Sequence, residues 1–288
     1  QVLALLIEVV TGEPWAQYLG QHVFAPLGMA RTVATATSAE AAVAAPDLAE
    51  GHVLVFDQPV ARRELDGLVA GSTGVISTAG DMARWLVAQS TGGAPVLPAQ
   101  DVALMHTPPA GVAGGYGMGW QVVTPADGPR RIEHTGVLST YSAVQVLLPD
   151  SGYAFALLYG GNSVLADTAG VTTGLAALLG GAGEPTAPRS TALLAAAIAA
   201  ACVLVLALRV RSFVRVGRWR RRRAGRPWWT SVPGFLWLIL PAAVLAGLVP
   251  LVAAAAGRVF TFWQLCLAMP EVVVLLAVAA VTGILLAV

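Results

Sequence analysis

The sequence predicts an α+β domain with an antiparallel sheet over residues 1–181, a linker at 182–190, and a bundle of about three transmembrane helices over 191–288. Helix-like segments precede a series of short strand-like runs and a closing helix, the order expected of an α+β domain. Long uncharged runs follow residue 190, and the charges separate at the same point. Residues 1–190 hold 7 Arg and 15 acids, and residues 191–288 hold 10 Arg and 1 acid.

The composition is too apolar for an ordinary soluble domain. Of the 288 residues, 56% are hydrophobic and 11% are charged, with a mean hydropathy of +0.71, whereas soluble domains average about 25% charged residues. The chain opens with "QVLALLIEVVTGEPW", which already reads as the interior of a helix. We therefore expect an N-terminal part of the domain to be missing upstream of Gln1.

Helical patterns begin the domain. "VLALLIEVV" predicts a helix that ends at Thr11-Gly12, and "PWAQYLGQHVF" predicts a second helix with Pro14 at its start. The Ala-rich stretch 33–60 predicts an irregular region. "GVISTAGDMARW" predicts a turn and then a helix capped at Ser77-Thr78, with Asp81 as a capping acid and Met82 and Trp85 packing inward. "LPAQDVALMHTP" predicts a further helix.

Alternating runs then predict the sheet. "GYGMGWQVV", "RRIEHTG", "YSAVQVLLP" and "YAFALLY" are short, rich in β-branched and aromatic residues, and separated by turn residues. Such runs are typical of consecutive antiparallel strands. "LADTAGVTTGLAALLG" predicts a closing helix that covers one face of the sheet.

The apolar C-terminal region predicts spans at about 191–208, 232–256 and 270–288, each long enough to cross a hydrocarbon core of about 30 Å. Nine Arg occupy 209–226, so the segment 209–227 is predicted as a cytoplasmic Arg-rich loop, and residues 1–190 as extracytoplasmic. We thus expect a multi-pass protein of the cell membrane that contacts membrane lipid. Aromatic residues flank the spans, as in interfacial belts: Trp228, Trp229, Phe260, Phe262 and Trp263.

Several other functions find no support in the sequence. The Arg-rich segment lies directly beside two predicted spans and carries no nucleic-acid-binding fold signature, so no nucleic-acid partner is predicted. Glu271, the single acid of the apolar region, sits at a helix end rather than mid-span, which favours an anchor over a transporter. Cys202 and Cys266 read as buried apolar residues. His22, His52 and His106 lack ligand spacing, so neither a metal nor a cofactor is predicted.

One predicted strand carries a chemically distinctive stretch. His134, Thr135 and Gly136 place an ionisable side chain, a hydroxyl and a glycine side by side, which suits the edge of a hydrolase site. From these residues alone, a solvated histidine at a strand edge is the favoured interpretation.

Five stretches in order resemble the serine β-lactamases and penicillin-binding-protein-like hydrolases, in particular class C β-lactamases, DD-peptidases and related esterases. They are "IEVVTG" with Tyr18, "PLGM" with Thr32, "GVISTAGDMARW", "YGMGW" and "HTG". The resemblance covers the second half of that domain only. It implies a β-lactamase/transpeptidase-like fold and a partial serine hydrolase domain at 1–181.

In this family a Ser-x-x-Lys, a Tyr-x-Asn or Ser-x-Asn, and a Lys-Thr-Gly or His-x-Gly strand line the site. His134-Thr135-Gly136 matches the third element, and the resemblance makes the backbone N–H of Val137 an oxyanion donor. It implies that Thr135 binds a substrate carboxylate, that Gly136 admits the substrate backbone, and that His134 supplies a pH-sensitive charge.

The nucleophile is not in this chain. All 17 basic residues are Arg, and Arg cannot act as the base partner of a serine. Tyr159 and Asn162 are one residue too far apart for a Tyr-x-Asn motif. The chain alone is therefore expected to be inactive.

The sequence leaves two functions open. The first is the C-terminal part of a membrane-anchored, outward-facing serine hydrolase that forms an acyl-enzyme on small-molecule or peptide substrates, with cell-wall peptides among the candidates. The second is a non-catalytic relative that binds peptide-like ligands or joins a membrane complex. "HTGVLST" has bulkier residues after the glycine than relatives often carry, so antibiotic hydrolysis is not predicted.

Overall fold

The computed structural model describes residues 1–64, 71–111, 115–163, 166–181, 191–223, 227, 232–257, 259 and 261–287. These residues form two compact units. The first comprises Gln1–His52, Ala61–Asn162 and Asp167–Arg189, and the second comprises Val53–Val60, Ser163–Ala166 and Ser190–Val288. The predicted linker 182–190 lies outside the described residues.

The helices and strands alternate along the first two thirds of the chain, and helices alone follow. The helices are α1 (Val2–Thr11), α2 (Trp15–Leu19), α3 (Ser38–Ala44), α4 (Ala79–Ser90), α5 (Ala99–Met105), α6 (Thr168–Leu179), α7 (Ala192–Arg223), α8 (Val232–Ala246), α9 (Leu248–Ala256), α10 (Phe262–Ala268) and α11 (Pro270–Ala287). The strands are β1 (Val33–Ala34), β2 (His52–Val55), β3 (Gln58–Ala61), β4 (Val75–Ile76), β5 (Gln121–Val123), β6 (Arg131–Val137), β7 (Ser142–Leu148), β8 (Tyr153–Tyr159) and β9 (Gly161–Asn162).

The main sheet of the first unit is a four-stranded antiparallel meander in the order β5-β6-β7-β8. Ile132 pairs with Leu147 and Val137 with Ser142 across β6 and β7. Short turns join β6 to β7 and β7 to β8, so neighbours in the chain are neighbours in the sheet. The consecutive antiparallel strands predicted for this region are therefore confirmed.

Each face of this sheet buries apolar side chains against a helix. On one face, Ile132 and Leu147 pack with Leu86 of α4 and with Trp120. On the other face, Val144, Val146 and Leu148 pack with Ala176 of α6. The alternation of strand side chains assigns successive residues of β7 to the two cores. α6 thus covers one sheet face, as the sequence predicted.

Helix α4 begins where the sequence predicted, but Asp81 has another role. The side chain of Thr78 caps the helix by accepting from the N–H of Asp81 at 3.2 Å. Asp81 is itself buried, and its carboxylate accepts from the N–H of Arg31 at 2.8 Å and from the hydroxyl of Thr32 at 2.9 Å. It therefore ties the 31–32 loop to α4, and the capping acid expected at this position is wrong.

The second unit contains the apolar helices. Within α7, the segment Ala192–Arg218 is long and apolar enough to cross a membrane. Two bent pairs add up to two more crossings if each pair counts as one span: Gly234–Ala246 with Leu248–Ala255, bent by 59°, and Phe262–Ala268 with Pro270–Leu285, bent by 113°. α11 packs against both α7 and α8. A Cβ built on Gly283 would collide with the carbonyl of Leu238, so this glycine permits the close approach of α8 and α11.

Three local expectations are wrong. The segment 209–227 was expected to be a loop, yet α7 continues through Arg223. Arg is a good helix former and follows an existing helix, and the single Gly217 does not interrupt it. The stretch 33–60 is not irregular, since it contains β1, α3, β2 and most of β3. "YGMGW" is a turn rather than a strand, and β5 begins only at Gln121. Trp228, Trp229 and Phe260 lie outside the described residues.

Candidate active site

The distinctive stretch lies at the C-terminal end of β6. His134 is half-buried, and Thr135, Gly136 and Val137 are exposed. His134 stands opposite Gln145 of β7, and two residues away Ile132 enters the core beneath α4. The alternation of strand side chains therefore places His134 on the α4 face and Thr135 on the α6 face.

This end of β6 has one free edge within the described part of the chain. β5 pairs only with Arg131, Ile132 and Glu133. Beyond Glu133, no described strand lies on that side, while β7 pairs the other side as far as Val137. The backbone of residues 134–137 thus forms an open edge of the sheet within the described residues.

The alternation of hydrogen-bonded and non-hydrogen-bonded pairs between β6 and β7 shows which backbone groups face this edge. The N–H of Leu138 donates to the carbonyl of Tyr141 at 2.9 Å, so these two residues form a hydrogen-bonded pair. Hydrogen-bonded and non-hydrogen-bonded pairs alternate along an antiparallel ladder. Val137 and Thr135 are therefore in non-hydrogen-bonded pairs with β7. Their N–H and C=O groups point toward the open edge.

Side chains from distant segments hold the turn that follows β6. Thr140 is 0% exposed, and Oε2 of Glu64 accepts both its N–H and its hydroxyl at 2.8 Å. The side-chain amide of Asn162 donates to the carbonyl of Leu138 at 2.6 Å. The hydroxyl of Tyr141 donates to the carbonyl of Ala49 at 2.9 Å. The charge-assisted bonds to Glu64, together with the two neutral bonds, fix the turn and hence the position of Val137.

The environment of Tyr141 raises the pKa of its phenol. Burial is the main cause, and the carboxylates of Glu64 and Glu50 add to it. Tyr141 therefore stays a neutral hydrogen-bond donor throughout the neutral range. Its bond to Ala49 persists wherever the fold does.

A residue that the sequence did not single out contacts His134. The hydroxyl of Tyr116 lies 3.0 Å from Nε2 of His134. Tyr116 bridges to Gln121 across a tight turn, in which the N–H of Gly117 donates to the carbonyl of Trp120 at 2.7 Å. Tyr116 belongs to the "YGMGW" motif, which was interpreted as a structural strand. The motif's aromatic residue is the signal that could have indicated this contact.

The neighbour of His134 on β7 is also fixed. Oε1 of Gln145 accepts from the indole N–H of Trp85 at 2.8 Å. Trp85 itself packs against the core beneath α4. The sequence prediction that Trp85 packs inward is confirmed. The bond fixes the side chain of Gln145, which lies beside His134 on the sheet.

The other histidines are structural. Nε2 of His106 lies 3.0 Å from Oε1 of Gln89. Burial lowers the pKa of His106, and Arg130 lowers it further. Nδ1 of His52 lies 3.0 Å from the carbonyl oxygen of Gly160, and His22 lies 3.6 Å from Glu13. In the described ranges, no group of three or more His, Cys, Asp or Glu side chains is arranged to hold a metal ion.

Comparisons with known proteins agree with this fold. The beta-lactamase family model matches residues 1–177. The octameric penicillin-binding protein homologue from Pyrococcus abyssi matches with a TM-score of 0.54 at 22% identity, over 64% of this chain and 41% of that one. A class C beta-lactamase matches with a TM-score of 0.47 at 17% identity, over 65% of this chain and 56% of that one.

At 22% identity, the likeness to the Pyrococcus abyssi protein is one of fold. The chain spans about half or less of the matched proteins' own length: 41% of the first and 45% of a second, a SurE structure. No curated protein matches the sequence.

Proposed function

The chain belongs to the beta-lactamase family through residues 1–177, and from this premise we propose that it is the C-terminal part of a membrane-anchored, outward-facing serine hydrolase. The reaction is acyl transfer on an amide or ester. A serine attacks the carbonyl, an acyl-enzyme forms, and water or an amine releases the product.

The observation that carries this proposal is the free edge of β6 at His134, Thr135, Gly136 and Val137. Thr135 and Val137 direct backbone groups toward that edge, as the pairing of Leu138 with Tyr141 requires. An extended substrate amide can pair there as an added strand, and its carbonyl then lies beside the N–H of Val137. A preplaced donor at such a position stabilises the oxyanion of a tetrahedral intermediate.

Each side chain of the stretch has a distinct role in this mechanism. His134 supplies a donor or a positive charge near the attacking oxygen, and its Nε2 is 3.0 Å from the hydroxyl of Tyr116. Thr135 donates its hydroxyl to a substrate carboxylate. Gly136 stands opposite Ala143. Gly136 has no side chain and Ala143 has only a methyl group, which leaves room for the substrate backbone on the α4 face.

We infer that the nucleophile and its base partner are supplied by residues outside Gln1–Val288. The 17 basic residues here are all Arg, and a guanidinium does not release its proton at working pH. In the family these groups come from a Ser-x-x-Lys helix and a Tyr-x-Asn element. The residues 134–137 therefore form one wall of a site that those elements complete.

Membrane attachment follows from the apolar helices. α7 is 32 residues long, about 48 Å at 1.5 Å per residue, against a hydrocarbon core of about 30 Å. Its Arg-rich end, starting at Arg209, favours the cytoplasmic side, where anionic lipid attracts it. The hydrolase domain then faces outward. A small-molecule or peptide substrate is accessible there, and cell-wall peptides are among the candidates.

A serine-directed probe tests the proposal. A labelled penicillin or fluorophosphonate should label the parent protein that carries the upstream sequence and should fail to label the chain Gln1–Val288 alone. Labelling that vanishes when the upstream serine is replaced by alanine assigns the nucleophile. A parent protein that binds peptidoglycan peptides but is never acylated would instead identify a non-catalytic relative.

A further inference from the structure

A buried carboxylate begins α11 in the second unit. Glu271 is 1% exposed. Its Oε1 accepts a hydrogen bond from the N–H of Phe56 at 2.7 Å, at the tip of the hairpin formed by β2 and β3. Its Oε2 has no hydrogen-bond partner among the described residues. An unpaired buried carboxylate oxygen is costly, and proteins pair such groups or bind them to a cation.

Glu271 lines a small cavity with other oxygen-bearing side chains. The lining residues are Leu54, Asp57, Ser163, Ala166, Thr191, Ala195 and Glu271, and the cavity has a volume of about 10 Å³, room for one water-sized ion. Asp57 is exposed at the rim, which gives access from solvent. The hydroxyl of Thr191 donates to Oδ1 of Asp57 at 2.8 Å. Thr191 thereby orients the second carboxylate.

The charges around the cavity do not balance. No Arg or His side chain of the described residues lines it. Glu271 lies in the first turn of α11, and Thr191 immediately precedes α7. Each helix N-terminus contributes roughly +0.5 of an elementary charge. Two carboxylates against two helix ends leave a deficit of about one positive charge.

The donor set selects the kind of ion. Carboxylate and hydroxyl oxygens are hard ligands, which suit Na⁺ and Ca²⁺, whereas zinc and copper sites use His nitrogen and Cys sulfur. We propose that this cavity, the Glu271 cavity, binds one hard metal cation, Na⁺ or Ca²⁺, between Glu271 and Asp57. The ion fastens the tip of the β2–β3 hairpin to the starts of α7 and α11.

Direct binding to the full chain in detergent micelles tests the site. Equilibrium dialysis with radiolabelled Ca²⁺ and, separately, radiolabelled Na⁺ should show about one ion per chain for one of the two, with choline chloride holding the ionic strength constant. The same ion should raise the Tm followed by tryptophan fluorescence by about 5 °C when it is present at 100 times its Kd. Choline alone should leave the Tm unchanged.

The variants separate the site from general salt effects. Glu271→Gln keeps an acceptor for the N–H of Phe56 but removes the charge, and Asp57→Asn does the same at the rim. Each should weaken ion binding about tenfold or more, because truncating a buried charge partner typically costs that much. Asp150→Asn removes an equal charge from an exposed turn and should bind as the wild type does.

Two results would overturn the proposal. In the first, the wild type binds neither ion, which would assign a proton or a water molecule to the cavity instead. In the second, Glu271→Gln binds the ion as tightly as the wild type does.

Discussion

The hydroxyl of Tyr116 lies 3.0 Å from Nε2 of His134, and the two rings meet edge to face with centroids 6.1 Å apart. This contact limits how the imidazole turns at the free edge of β6. It also couples the proton on Nε2 to the phenol, because whichever atom donates, the other must accept. Tyr116 is thus a positioning residue for His134.

We expect Tyr116→Phe to slow acylation in the complete protein. The ring remains, so the packing beside His134 is kept, but the hydrogen-bond partner of Nε2 is lost. Acylation should fall by about tenfold, because the imidazole is no longer held in one orientation by a hydrogen bond. Stopped-flow acylation measures the rate. Tyr153→Phe, on exposed β8, is the control, and an unchanged rate in Tyr116→Phe would show that the contact is only packing.

Replacement of His134 should act on the rate of acylation rather than on folding. In the complete protein His134→Ala removes a charge or donor near the reacting atoms, for which a loss of about 10²-fold is typical. Thr135→Ala should instead raise KM for substrates that carry a carboxylate and leave neutral esters unaffected. If His134→Ala turned over substrate at the normal rate, His134 would be only a solvated residue at a strand edge, with no role in catalysis.

Thr140→Val should destabilise the first unit. The change preserves the shape of the side chain but removes one of the two donors that Oε2 of Glu64 accepts. Loss of a hydrogen bond to this half-buried carboxylate costs about 1–3 kcal/mol of unfolding free energy. Denaturant unfolding of the full chain measures it. The control is Thr91→Val, because the hydroxyl of Thr91 only bonds its own helix at an exposed site.

Acidification should weaken the fold through His106. Its pKa is lowered by burial and by Arg130, so the native state holds fewer protons on this group than the unfolded state does. Stability is then greatest above the unfolded value of about 6.5 and decreases as the pH falls through that value toward the lowered one. His106→Gln should flatten the dependence of Tm on pH in this window. A variant as sensitive to acid as the wild type would assign the effect to other groups.

The side of the membrane on which each segment lies can be measured directly. Reporter fusions after residue 185 and after residue 224 should give an extracytoplasmic and a cytoplasmic signal respectively, because the Arg-rich end of α7 is retained in the cytoplasm. A cytoplasmic signal from the first fusion contradicts the proposed topology. Replacement of Arg220, Arg221, Arg222 and Arg223 by Gln should weaken the bias in either case.

Local patterns predicted most of the fold. The β6–β8 meander and α6 follow from alternation, turn residues and helical periodicity within short windows. α4 was placed correctly because Thr78 is a strong N-cap residue beside a periodic run. The stretch 33–60 was misjudged because its many alanines carry no strand or helix periodicity, so its elements depend on tertiary pairing such as that of Val33 with Ile76.

The details of the site could not be predicted in the same way. Tyr116 reaches His134 across 18 residues and a glycine-rich turn, and no periodic pattern encodes such a contact. Glu64 reaches Thr140 from a segment without regular structure, so its role appears only in three dimensions. The buried position of Glu271 was missed because an acid at a helix start usually indicates a solvated N-terminus.

The bonds that hold the turn after β6 also carry a kinetic consequence. Strands β6, β7 and β8 pair with chain neighbours, whereas Thr140 meets Glu64 across 76 residues and Tyr141 meets Ala49 across 92. Closing a large loop costs more conformational entropy than closing a local hairpin does. We expect strands β6, β7 and β8 to pair early in refolding. The long-range hydrogen bonds to the β6–β7 turn should form late. In pulse-labelled amide exchange, the N–H of Val146 should therefore be protected before that of Thr140. The end of β6 at residues 134–137 should become ordered last.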